Sequence, residues 1–131
     1  MEANELRIGN YVDLIGLDYV MDNPVADYNS RETVVVDSSV LKNILDFNGT
    51  TDYDLYEPIP LTEEWLLRFG FEKIIVENYP LYVYDGFMIE IYTDNCVVCY
   101  NNTEIPKIKF VHSLQNLYFS IKLKELLCDN I

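Results

Sequence analysis

Several groups of side chains in this sequence have the types and spacings that chemistry needs. Cys96-Val97-Val98-Cys99 has the CxxC spacing of zinc knuckles and thioredoxin-like sites. A strand pattern surrounds it, however, and in a strand residues i and i+3 point to opposite faces. No second CxxC or histidine pair completes a tetrahedral set, so the expectation is two buried small residues in a sheet, with no metal or redox site. His112, the single histidine, stands three residues before Gln115, a spacing that makes them neighbours on a helix and could serve proton transfer or ligation. It has no second histidine to share a metal and no nucleophile motif to activate, and the reading is a surface or capping histidine. Asp52, Asp54 and Glu57, and separately Asp13 and Asp18, suggest a two-metal nuclease cluster. Such a site needs carboxylates converging from rigid elements, whereas these fall in expected loops without a lysine or histidine base. The sequence also contains no glycine-rich phosphate loop, Walker pattern or G-x-S-x-G. A protein without catalytic activity, cofactor or metal is the expectation.

The elements that would position these residues follow from periodicity. Residues 6 to 15 read as a strand with a bulge or bend at Gly9-Asn10, and Gly16 to Ser30 as turns with one irregular strand. The β-branched run at 32 to 36 reads as a strand. Asp37-Ser38-Ser39 offers N-caps for a helix through Phe47 that carries Val40, Leu41, Ile44 and Leu45 on one face and closes at Asn48-Gly49. After a polar loop at 50 to 60, Thr62 is placed to cap a second helix, with Glu63 and Glu64 in its first turn and Gly70 ending it. Phe71 then stands where a Schellman turn packs it back on Leu66.

From Phe71 the period changes to two, with strands at 71 to 77, 80 to 84, 87 to 92 and 96 to 100 joined by short turns: an antiparallel meander. Asp85-Gly86 suits a two-residue type I′ turn, which pairs Tyr84 with Phe87, Val83 with Met88 and Tyr82 with Ile89. Neither face of that hairpin is properly polar. Either the sheet is covered on both sides, or one apolar face is left for a partner. A C-terminal helix from about Lys109 gathers Phe110, Val111, Leu114, Leu117, Tyr118 and Ile121 in an arc of about 120°, leaving His112, Gln115, Asn116 and Phe119 outside. The expected fold is α+β: an antiparallel β-meander packed against a C-terminal amphipathic helix, with two further short helices, in a single domain over 1–131.

Charge narrows the function. Nine basic side chains face twenty-two acidic ones, a formal net charge of −13. Affinity for nucleic acid comes largely from Lys and Arg displacing counterions, so direct nucleic-acid binding is disfavoured and a basic protein surface is the natural counterpart. No apolar run approaches the roughly 20 residues that span a bilayer, and the N-terminal MEANELRIGN resembles no export signal. A cytoplasmic protein with free cysteines is expected. Eleven tyrosines add large, amphipathic contact area of the kind enriched at interfaces. The acids and tyrosines expected to meet a partner lie in two segments read as loops: Asp18, Asp22 and Asp27, and Asp52, Tyr53, Asp54, Tyr56 and Glu57.

ELRIGNYV at 5 to 12, EPIPLTEEWLLRFGFEK at 57 to 73 and KIKFVHSLQNLYFSI at 107 to 121 together resemble the signature segments of a family of short proteins encoded by bacteriophages and prophages. The resemblance covers about a third of the chain, keeps the segments in order, and carries over no catalytic residue. It implies a mobile-element protein acting inside a bacterial host cell. Small acidic phage proteins without catalytic motifs are often inhibitors of host defence, including anti-CRISPR proteins. By that analogy the partner is a host protein with a basic surface, such as an RNA-guided CRISPR nuclease. The alternatives are a non-enzymatic structural or assembly protein of the phage particle and a minor enzyme with a carboxylate site.

Overall fold

Among the described residues strands outweigh helices, because β-branched and aromatic residues recur between short turns that favour hairpins. The computed structural model describes residues 5–21, 23–47 and 55–128. The chain divides into two units, Met1–Ile59 and Pro60–Ile131. The fold class is α+β, as the sequence reading expects, with helices accompanying antiparallel sheets in both.

In the first unit, β1 (Tyr11–Val20) lies between β2 (Asn23–Val35) and β3 (Leu55–Glu57). Gly9, at φ 101°, and Asn10 form the turn that enters β1 instead of a bulge within it, and the backbone of Gly9 and Asn10 pairs with Val36. The irregularity in the β1–β2 ladder falls between Ile15 and Gly16. Residues 16 to 30, expected as turns with one irregular strand, continue this hairpin on both sides where they are described, with Gly16 opposite Asp27 and Val20 opposite Asn23. Their aspartates and Pro24 interrupt any alternating pattern, and it is the complementary strand that holds them extended. β3 likewise emerges from a segment read as polar loop. Asp37 caps α1 (Ser38–Phe47), its Oδ1 accepting the Val40 N–H at 2.9 Å. Ile44 joins Leu6, Val12 and Val36 in a core cluster on which Val40 and Leu41 pack, while Leu45 is exposed. α1 thus packs against β1 through Ile44 and Val12. The proposed closure at Asn48-Gly49 lies outside the described residues.

In the second unit, β4 (Glu72–Val76), β5 (Tyr79–Tyr84), β6 (Phe87–Ile91), β7 (Cys96–Tyr100) and β8 (Thr103–Ile108) form a five-stranded antiparallel meander in sequence order. The register at Asp85-Gly86 is the expected one, both turn residues having positive φ, and Glu77-Asn78 and Asn101-Asn102 repeat that backbone at two further turns. β8 was not expected: Pro106 interrupts its pattern, Lys107 has φ 66°, and its register with β7 shifts. α2 (Glu63–Arg68) begins at Thr62, which occupies the N-cap position without a side-chain capping bond. Its other end is a Schellman turn: Phe71 N–H donates to Leu66 O and Gly70 N–H to Leu67 O, at 3.0 and 3.1 Å, with Gly70 at φ 100°.

α3 (Val111–Lys122) packs on one face of the sheet through Tyr118, whose ring lies 5.3 Å from Phe87 and 6.1 Å from Tyr84. Its buried residues are Val111, His112, Leu114, Gln115 and Tyr118. The helix is therefore rotated from the orientation that hydropathy suggests. His112, expected outside, is 3 % exposed and stacks on Phe110, and Gln115 is 0 % exposed. The reason lies beyond the helix: Leu123 ends it in the left-handed conformation at φ 57°, and the following segment returns so that Gln115 Nε2 donates to Leu126 O at 3.1 Å.

Candidate functional site

The residues expected to meet a partner are distributed by the structure as follows. Asp18 and Asp27 belong to the β1–β2 hairpin by their backbone, not to a loop. Asp22, Asp52, Tyr53 and Asp54 lie outside the described residues. Tyr56, half-buried, packs against the Leu6–Val12–Val36–Ile44 cluster. Glu57 sits opposite Asp13, and Arg31 bridges the two carboxylates, its Nη1 lying 2.8 Å from Glu57 and 3.8 Å from Asp13. Tyr56 and Glu57 therefore have structural partners within their own unit.

The two faces of the meander differ in chemistry. Alternation sends Tyr82, Phe87, Ile89, Cys96 and Val98 toward α3, where all are buried. The opposite parity places Glu72, Val83, Met88, Cys99 and Glu104 in one rung across all five strands. Ile74 pairs with Leu81, Glu90 with Val97, and Val76 with Tyr79 on the same side. This outer face is apolar at its centre, and its paired charged residues are Glu72, Glu90 and Glu104, with Lys107 in the β8 irregularity across from Val97. Met88 is 41 % exposed and Tyr79 73 %. Four strand spacings separate the glutamates at the ends of the long rung, about 19 Å. A concavity of about 570 Å³ opens at one end of the face, with Val83 and Met88 against Glu72 and Asp85.

One polar arrangement ties the meander to α3, and another lies on the outer face. Asp85, in the β5–β6 turn, accepts a hydrogen bond from the Tyr118 hydroxyl at 2.7 Å and stands 3.4 and 3.5 Å from the ammonium groups of Lys122 and Lys124. These partners, the tyrosine hydroxyl foremost, hold the Asp85 carboxyl below its ordinary value, while burial and the bond to Asp85 push the Tyr118 phenol up. On the outer face the Tyr92 hydroxyl donates to Glu90 at 2.6 Å, and that bond raises the tyrosine above its usual range.

The thiol chemistry considered from sequence does not assemble. Cys96 and Cys99 sit on opposite faces of β7, and burial raises the Cys96 thiol, which disfavours the thiolate. Among the described residues there is no cluster of three or more His, Cys, Asp or Glu side chains able to hold a metal, and no helix is long and apolar enough to cross a membrane. What this geometry offers is contact: an exposed apolar sheet face carrying carboxylates. One signal for it was available in sequence, the absence of a polar face on the 81–92 hairpin. Comparison with protein-family models, with curated proteins and with solved structures gives no match.

Proposed function

We propose that the protein acts by stoichiometric binding, and that its outer sheet face receives a protein surface that is basic at the rim and apolar at the centre. The observation carrying this reading is the long rung of the meander, in which Val83, Met88 and Cys99 lie between Glu72 and Glu104. Exposed apolar area of this kind is a liability in water unless something covers it. The carboxylates select what does, favouring Lys- and Arg-bearing surfaces and opposing acidic ones. The net charge of −13 steers such partners from a distance, with Asp18, Asp22, Asp27, Asp52 and Asp54 contributing to the field. In the phage setting implied by the sequence resemblance, the partner is a host defence protein that handles nucleic acid, since its phosphate-binding groove is basic and open to an acidic competitor.

The test begins with capture of the partner from host lysate on tagged protein, followed by binding kinetics over a range of ionic strength. Rim charges act mainly on association rate, and buried anchors mainly on dissociation rate. Replacing Glu72, Glu90 and Glu104 together by Gln should slow association at low salt and flatten its salt dependence. Met88→Ala should speed dissociation at every salt concentration. Association indifferent to salt, or inhibition that turns over substoichiometrically, would exclude this function.

A further inference from the structure

The two edges of the five-stranded sheet are unequal. At β8 the free edge is interrupted: Pro106 has no N–H to offer, Lys107 takes φ 66°, and the register with β7 shifts. These are the devices by which proteins blunt an edge against further pairing. β4 has none of them. Its pairing with β5 is regular over all five residues from Glu72 to Val76, every one of them is exposed, and Ile75 is 63 % exposed. Its single lysine, Lys73, is engaged with Glu63 at 2.9 Å.

The backbone of β4 shows which groups this edge presents. Glu77 and Asn78, both at positive φ, make a two-residue turn, so Val76 and Tyr79 form the hydrogen-bonded pair that closes the hairpin. Hydrogen-bonded and non-hydrogen-bonded pairs alternate from there. Ile75 opposite Pro80 and Lys73 opposite Tyr82 are therefore non-hydrogen-bonded positions, and each turns its N–H and C=O toward the free edge. Pro80 fits the same alternation, since it owes β4 no donor.

We infer that β4 is an acceptor edge, at which an extended segment of a partner protein, basic at both ends and β-branched between them, adds as a sixth strand. This rests on the reading of the outer face as a partner-binding surface and says how the partner is held there. The two N–H and two C=O groups of Lys73 and Ile75 would supply the main-chain bonds, and Ile74 and Val76 would extend the apolar face under the added strand. Charge decides the occupant. Glu72 and Glu77 bracket the edge, and a segment carrying Lys or Arg at its ends complements both. A second copy does not. Each copy carries a formal net charge of −13, so two copies repel one another as they approach edge to edge.

The test uses the full chain, immobilised and panned against a displayed library of random short peptides. Enrichment of sequences with Lys or Arg flanking Val, Ile or Thr is expected, and on the free chain the enriched peptides should slow amide exchange at Lys73 and Ile75. Ile75→Pro removes an outward donor without breaking a β4–β5 bond, and Ile75→Lys places a charge on the edge. Each should weaken those peptides by about tenfold or more while leaving the unfolding midpoint near that of the parent. If Ile75→Pro fails to fold, Ile75→Lys and the exchange measurement on the unaltered chain still decide. No enrichment, enrichment of acidic peptides, or equal binding by the Ile75 variants would overturn the assignment. So would a dimer of the chain alone that Ile75→Lys dissolves, which would give the edge to a second copy. Glu90→Lys and Glu104→Lys, away from β4, separate the two proposals. If they weaken binding of the captured basic partner while the Ile75 variants do not, the face stands and strand addition fails.

Discussion

A glutamine fully withdrawn from water is stable only where its amide finds partners, and Leu126 O supplies one to Gln115 from the segment that follows α3. The same helix turns His112 inward against Phe110, so that its ring is part of the packing. His112→Ala should therefore cost about 1–3 kcal/mol of stability, and Leu114→Ala, at a fully buried site, about 2–5 kcal/mol, both read by urea denaturation of the full chain. Leu123 holds the left-handed cap at φ 57° with an exposed side chain, where a Cβ only adds strain. Leu123→Gly should raise stability by roughly 1 kcal/mol, seen as a higher denaturant midpoint at unchanged slope. The helix itself is legible in the sequence, because Val111, Leu114 and Tyr118 recur at its period. Its rotation is not, since hydropathy assigns Gln115 to water and the carbonyl that receives it comes from beyond the helix.

At the scale of elements, the β5–β6 turn is fastened to the end of α3 through Asp85, which Tyr118, Lys122 and Lys124 all approach. A carboxylate held below its ordinary value stabilises the fold when ionised. Its contribution is complete above the usual carboxylate range and is lost as the pH falls through the lowered value. Asp85→Asn should accordingly lower the thermal midpoint at neutral pH, and the gap to the parent should close in acid; a gap independent of pH would refute the linkage. The hairpins were legible where turn chemistry is explicit, as at Asp85-Gly86, and the Schellman end of α2 was legible from Gly70-Phe71. β8 was hidden by Pro106, and the β1–β2 hairpin by aspartates that break alternation, because both are held extended by a neighbouring strand. The candidate face was half legible. Its apolar parity was visible between residues 81 and 92, whereas the acids singled out in the sequence belong to the first unit.

For the molecule as a whole, twenty-two acidic side chains against nine basic ones keep copies apart at neutral pH. That protection should fail near the isoelectric point of about 4.2, where the exposed apolar face is no longer offset by repulsion. Turbidity should peak there and clear when the pH is raised, and a clear solution through that range would show that the face does not self-associate. The unequal sheet edges have one more consequence, for the geometry of growth. A filament of sheets needs an acceptor at one edge and a donor at the other, so that each addition creates the site for the next. With Pro106 and the irregular backbone of Lys107 at β8, a strand received at β4 finds no second open edge across the sheet. If β4 receives a strand as proposed, growth from the opposite edge of the same sheet is disfavoured, and stoichiometric complexes are expected in place of filaments.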